Sequence, residues 1–334
     1  MSKNKKIINV ATIGLGFGSL HAKVFKESKF TKLIYVNDTQ KKKEKFAKKL
    51  NTKFIHNSNN IFKDKKIDLV SIASFDNFHF KHLSNAIKSK KDIFIEKPLC
   101  QTSKQFKIIK KLLKKTKVKL SSNFVLRYHP KFKKVKELLE KNKIGKIYSI
   151  EGEYNYGRIE KIKKGWRGKI PFYSVVQGGG IHIIDLMNWM TKSYPDKVIS
   201  LGNNLVTKST NFKFNDNNIA LLKFKNGVIG KVTSNFSCMM PHNHYLKIYG
   251  EKGTIEIRLD KIFLFKSRNK KNKPIIIKYK KNNRYKKDLL NFFLKNLKKN
   301  KRIIDPSLND IYSSMSTCLA IDKSIKSKSW EKVK

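Results

Sequence analysis

A mostly apolar run from Ile7 to Ile13 stops at Gly14-Leu-Gly16-Phe17-Gly18, and a helical pattern follows through Lys29. A strand buried on both faces, a glycine turn and a helix, in that order, leave the chain few architectures. Gly14 allows the tight turn, and Gly16 lets the backbone approach a pyrophosphate. The helix N-terminus then offers unpaired N–H groups and partial positive charge to that anion. The usual third glycine falls at Ser19, and Gly18 stands one place early. A second strand, Lys32 to Asn37, ends at Asp38, 24 residues after Gly14. A carboxylate there accepts hydrogen bonds from ribose hydroxyls and repels a 2′-phosphate, so the pattern favours NAD over NADP. Lys41 to Lys43 follow closely and would soften that preference.

Further strand and helix signals alternate up to Phe124 and specify a doubly wound parallel sheet of the Rossmann type. One strand, Ile67 to Ala73, runs into Ser74-Phe-Asp-Asn-Phe-His79, where Asp76 or Asn77 is placed to cap a helix reaching Lys90. His79 and His82 lie three apart on that helix, with no neighbouring cysteine or carboxylate to complete a metal site, so packing and capping roles are expected. The next strand, Ile93 to Glu96, is cut off by Pro98, which has no N–H for a ladder. Lys97 therefore sits at the carboxyl end of a parallel strand, where ligands collect in such sheets.

After Phe124 the pattern changes. From Lys146 to Tyr156 residues alternate strictly, the period of an antiparallel sheet with two unlike faces. More strands fit at 197–207, 217–225, 228–237, 243–249, 253–258, 261–266 and 274–279, and helices at 286–298 and 308–325 close the chain. The boundaries expected are 1–123 for the Rossmann domain and 124–334 for an α+β domain with a large open antiparallel sheet. Between the strands, Gln177-Gly-Gly-Gly-Ile-His182-Ile-Ile-Asp185 brings a glycine loop into an apolar helix. His182 and Asp185 share a face of its first turn. A histidine in such a helix is either a satisfied core residue or a site residue, and the spacing leaves both open.

The formal net charge is +52, yet only seven of the 76 basic residues are arginine, and the lysine runs fall on many separate elements, including 1–6 and 295–301. Arginine is the residue that base and phosphate recognition favours, so no specific nucleic-acid partner is expected. Cys100, Cys238 and Cys318 are widely separated, which fits a reducing compartment without structural zinc or disulfides. Met1 to Lys6 is basic, but the apolar run after it is short and ends in glycines, so it reads as a first strand and not a signal peptide. No stretch approaches the roughly 18 apolar residues of a membrane helix. A cytoplasmic protein without membrane or metal partners is expected.

Taken together, Gly14-x-Gly16-x-Gly18-x-x-His21, Asp38, the Ala73 to His79 turn, Glu96-Lys97-Pro98, Arg127, Trp166-Arg167, Gly178-Gly-Gly-x-His182-x-x-Asp185, Asn226-Gly227 and Gly250-x-x-Gly253-Thr254 resemble the glucose-fructose oxidoreductase and inositol dehydrogenase (Gfo/Idh/MocA) family over nearly the whole chain. The resemblance implies an NAD(P)-dependent oxidoreductase that moves a hydride between nicotinamide and a secondary hydroxyl or ketone of a sugar, sugar nucleotide or cyclitol, in a homodimer or homotetramer. It puts Gly14, Gly16, Phe17, Gly18, Asp38, Ser74, His79, Glu96 and Lys97 at the cofactor. Lys97 would touch the reacting oxygen, His182 would relay the proton, and Asp185 would hold substrate or orient that histidine. Substrate contacts would come from Arg127, Tyr156, Trp166, Arg167 and Asp185, with Glu153, Tyr154 and Arg158 beside them. The arginines suit an anionic substrate such as a nucleotide sugar, or are surface charges. Many members carry an aspartate four residues before the histidine, and this chain has Gly178, so an Asp–His relay does not carry over. That loop looks like members associated with sugar and surface-polysaccharide pathways. The alternative is a dinucleotide-binding regulator of the same fold without turnover.

Overall fold

The computed structural model describes residues 7–299 and 305–334. The basic start Met1 to Lys6 and the end of the 295–301 lysine run lie outside the described residues. Two compact units divide the chain: the described parts of Met1–Phe124 with Arg284–Leu308, and Val125–Asn283 with Asn309–Lys334.

The first unit alternates strand and helix: β1 (Ile8–Ile13), α1 (Gly18–Glu27), β2 (Thr31–Asn37), α2 (Glu44–Lys49), β3 (Lys53–Ile55), α3 (Asn59–Lys63), β4 (Leu69–Ile72), α4 (Asp76–Lys88), β5 (Asp92–Ile95), α5 (Ser103–Lys114) and β6 (Leu120–Ser122). All six strands are parallel, in the order β3-β2-β1-β4-β5-β6. The order reverses between β1 and β4, which opens a crevice at their carboxyl ends. Leu69, Val70, Ile72, Ile93, Phe94 and Ile95 are fully buried, as strands covered on both faces require. Helix α4 starts at Asp76 behind an extended Phe75 with no side-chain cap, so the expected Asp76 or Asn77 cap does not form. Asp76 instead occupies the first turn, where its charge suits the positive helix end.

The second unit contains α6 (Pro130–Glu140), β7 (Ile147–Asn155), α7 (Glu160–Lys163), α8 (Ile181–Thr191), β8 (Pro195–Asn203), β9 (Asn217–Phe224), β10 (Ile229–Asn235), β11 (Asn243–Gly250), β12 (Gly253–Arg258), β13 (Lys261–Phe265) and β14 (Ile275–Ile277). After α9 (Tyr285–Lys298), α10 (Leu308–Ser327) and β15 (Glu331–Lys332) end the chain. Its nine strands run β14-β13-β12-β11-β7-β10-β9-β8-β15. The sheet is antiparallel except at its centre, where β7 and β10 pair in parallel. That departure arises because the long excursion through α8, β8 and β9 returns the chain to β7 in the same direction. One face is covered by α8: a Cβ on Gly152 would lie 2.3 Å from the Ile183 side chain. The other face carries Leu201, Ile219, Leu221 and Ile229, all exposed.

The described residues of 284–308, expected in the second domain, group with the first unit. Helix α9 lies against α1, with Phe293 fully buried and its ring 5.7 Å from that of Phe94. Its apolar stripe was legible, but the partner for that stripe was not, because sequence order does not fix which core a late helix rejoins.

Candidate active site

In the first unit the glycine turn takes the shape its residues predict. Gly14 has φ +85°, and a Cβ there would lie 2.4 Å from the Ala73 carbonyl oxygen. Gly16 is exposed with nothing near its Cβ direction, which leaves backbone open to a ligand. A Cβ on Gly18 would sit 3.0 Å from both the Ala73 and Thr12 side chains, so Gly18 supplies the close approach of helix to strand usually given by a third glycine one place later. Phe17 stands 68% exposed between them.

Asp38 braces this turn. One carboxylate oxygen accepts the Leu15 N–H at 2.7 Å and the other the Gln40 N–H at 2.9 Å. From the far side, the Lys43 amine donates to the Leu15 carbonyl at 3.2 Å. Such a cradle, with an open glycine and a half-buried carboxylate at the end of β2, fits a dinucleotide: Gly14 to Gly18 would hold the pyrophosphate and Asp38 the adenosine ribose.

Beside it, the end of β5 is held by a chain of polar groups. His21 Nδ1 is 2.9 Å from the Ser71 hydroxyl, and its Nε2 is 3.4 Å from Glu96. The Asn123 amide donates to Glu96 at 2.6 Å. Burial pushes the Glu96 carboxyl up, but the His21 imidazole, the Lys97 charge and the Asn123 bond outweigh it and hold it at about 2. Glu96 is thus ionised next to Lys97, which is half-buried. Expected at the cofactor, Glu96 is only 13% exposed and serves to fix the segment that carries Lys97.

His79, also expected at the cofactor, is fully buried, with Nδ1 2.6 Å from the Pro98 carbonyl oxygen and Nε2 2.9 Å from that of Ser74, so it ties the ends of β4 and β5 together. Ser74 is half-buried, its hydroxyl 2.9 Å from His82 Nδ1. Burial, then His79 and Lys81, lower His82 to about 4, so it is neutral at pH 7.

In the second unit His182 lies in the first turn of α8, 9% exposed, its ring stacked 6.2 Å from Tyr154. Asp185 and Arg127 were expected to meet substrate, and the structure turns both inward. Arg127 Nε and Nη2 donate to the two Asp185 oxygens at 2.8 and 2.7 Å, with exposures of 2% and 1%. Arg127 also reaches Asp310 at 3.3 Å and lies over Trp189. A buried bidentate pair of this kind positions the helix that bears His182.

Gly178 explains its own departure. A Cβ there would be 2.0 Å from the Tyr173 hydroxyl, so tyrosine fills the space an aspartate side chain would need. Tyr173 belongs to a cluster unforeseen from sequence, in which Tyr154, Tyr156 and Phe236 stack and His242 and His244 meet Tyr154 edge-on at 5.2 and 5.1 Å. Their signal was the i, i+2 spacing of His242 and His244 at the start of β11, which sends both side chains to one side of extended chain. Tyr156 and Arg167 lie within this cluster and Trp166 at its edge. Among the described residues no group of three or more His, Cys, Asp or Glu is arranged to hold a metal ion, and no helix is long and apolar enough to cross a membrane.

A glycine turn braced by a carboxylate at the end of β2, on a six-stranded parallel sheet, has the form of a dinucleotide-binding fold. Residues 8–124 match the oxidoreductase family with an NAD-binding Rossmann fold, and residues 132–256 match the GFO/IDH/MocA C-terminal domain. The chain belongs to the Gfo/Idh/MocA oxidoreductase family. It is 23% identical over 258 residues to 2,7-anhydro-N-acetylneuraminate hydratase of Escherichia coli K12, a match covering 75% of this chain and 68% of that protein. Among solved structures, levoglucosan dehydrogenase in complex with NADH and levoglucosan superposes with a TM-score of 0.86 at 20% identity, over 98% of this chain and 100% of that one. Myo-inositol 2-dehydrogenase from Lactobacillus plantarum gives 0.82 at 20% identity, over 98% and 100%.

Proposed function

We propose that the chain is an NAD-dependent dehydrogenase or reductase acting on a secondary hydroxyl or ketone of a sugar, sugar nucleotide or cyclitol. The observation that carries this reading is the braced glycine turn with Asp38 at the end of β2 and Lys97 at the end of β5, in a member of an NAD-binding oxidoreductase family. When bound, NAD supplies the hydride-accepting ring. Lys97, as a cation, stabilises the alkoxide that develops on the reacting oxygen or polarises the ketone in reverse. His182 takes or returns the hydroxyl proton, since imidazole titrates nearest neutrality of the groups available. Glu96, ionised beside Lys97, favours the charged amine. Dehydrogenases of levoglucosan and myo-inositol share the fold, which supports a polyhydroxylated ring as substrate.

The protein works in the cytoplasm as a homodimer or homotetramer, paired through the open face of its nine-stranded sheet, where Leu201 and Ile229 are 76% and 61% exposed. The hydratase named among the relatives favours a second reading, addition or loss of water at a sugar with no net change in NADH. A screen of sugars, nucleotide sugars and cyclitols with NAD tests both, following NADH absorbance and product mass. Oxidation of one substrate class with NADH formed in equal amount supports the first reading, a gain or loss of 18 Da without NADH supports the second, and failure to bind NAD or NADH removes both.

A further inference from the structure

The aromatic cluster of the second unit carries more positive charge than recognition of a neutral ring requires. Arg158 and Arg167 each place a guanidinium 5.6 Å from the centre of the same ring, Tyr156. Arg167 also lies 4.9 Å from Trp166 and 5.7 Å from Tyr173, and its Nε donates to the Tyr173 hydroxyl at 2.9 Å. A guanidinium laid on aromatic rings and hydrogen-bonded to a tyrosine hydroxyl has a set direction, and guanidinium groups match the oxygens of carboxylates and phosphates. Arg158 is exposed, and among the described residues it forms no ion pair with a carboxylate.

The histidines beside these rings are neutral at pH 7, so the positive charge here is that of the two guanidiniums. His242 meets Tyr156 edge-on at 5.6 Å, and burial, then the charge of Arg158, lowers it to about 4. Burial lowers His244 well below its ordinary value, helped by His242, His182, Lys131 and His129. Neutral hydroxyls gain little from two guanidiniums set on one ring, whereas an anion gains charge-assisted hydrogen bonds from both.

We infer that Arg158 and Arg167, set on the Tyr156, Trp166 and Tyr173 rings, recognise an anionic group on the substrate, a carboxylate or a phosphate. This rests on the reading that the chain acts on a sugar, and it narrows the substrate class to uronates and phosphorylated sugars, nucleoside diphosphate sugars among them. The position of Tyr173 over Gly178 then has a second consequence, because the hydroxyl that closes that space also aims Arg167.

The test is calorimetric titration of the NADH-saturated protein with glucose, glucuronate, glucose 6-phosphate and UDP-glucose. At least one anion should bind about tenfold or more tighter than glucose, with the tightest identifying carboxylate or phosphate, and the advantage should shrink as salt is raised. Arg158→Ala, at an exposed position, and Arg167→Lys, which keeps charge but loses the fork, should each remove most of that advantage while NADH still binds. Equal affinity for glucose and the anions, no binding of any of them, or an advantage that survives both substitutions would overturn the inference. Anion binding without oxidation by NAD would leave it standing and count against the hydride-transfer reading instead.

Discussion

Asp38 has two jobs that a sequence pattern shows as one. In the proposed reading its charge favours NAD over NADP, and its two oxygens hold the N–H groups of Leu15 and Gln40. Asp38→Asn keeps an oxygen for Leu15 and loses the charge. It should narrow the NADH over NADPH preference about tenfold or more, read by nicotinamide fluorescence, with little change in melting temperature; an unchanged ratio would remove Asp38 from the ribose. Asp322 offers a second residue-level test. Its carboxyl accepts from Ser174 Oγ and Gln177 Nε2, both at 2.7 Å, and burial raises it to about 6 despite those bonds. An acid raised in the folded state binds protons there more tightly than in the unfolded chain. Stability from this group is therefore greatest below about pH 4 and falls as pH rises towards 6 and just above, by on the order of 3 kcal/mol. In thermal melts from pH 4 to 8, Asp322→Asn should flatten that decline, and a parallel curve would show that the decline comes from elsewhere.

At the level of elements, what was legible was local. The β1–turn–α1 order, the shift of the third glycine to Gly18 and the strand ended by Pro98 all follow from short-range backbone chemistry. Gly14→Ala should cost roughly 2–5 kcal/mol in chemical denaturation, combining a left-handed φ with a collision against the Ala73 carbonyl; a loss under 1 kcal/mol would mean the turn is built otherwise. Contacts between distant stretches were not legible. Nothing near Asp185 in sequence announces Arg127, 58 residues earlier, as its partner. Likewise the Tyr173 hydroxyl over Gly178 and the parallel pairing of β7 with β10 depend on packing across the sheet. The same holds for the bonds that Glu96, His79, Arg127 and Asp185 make to neighbouring groups, which no local pattern announces.

Over the whole molecule, each unit has its own core, and α9 joins the first unit through Phe293 after the chain has built the second sheet. The exposed apolar residues of the second sheet bear on subunit number. Ile219→Asp with Leu221→Asp, neighbours on β9, should shift the mass in light scattering towards that of one 39.0 kDa chain. An unchanged oligomer would place the interface elsewhere. The central claim concerns Lys97, the charged amine at the end of β5. The most direct measurement sets turnover of Lys97→Ala against its NADH affinity, once the substrate screen has supplied a substrate. If Lys97 meets the reacting oxygen, turnover should fall at least about a thousandfold with the NADH dissociation constant within about threefold of wild type. Turnover near wild type would contradict it.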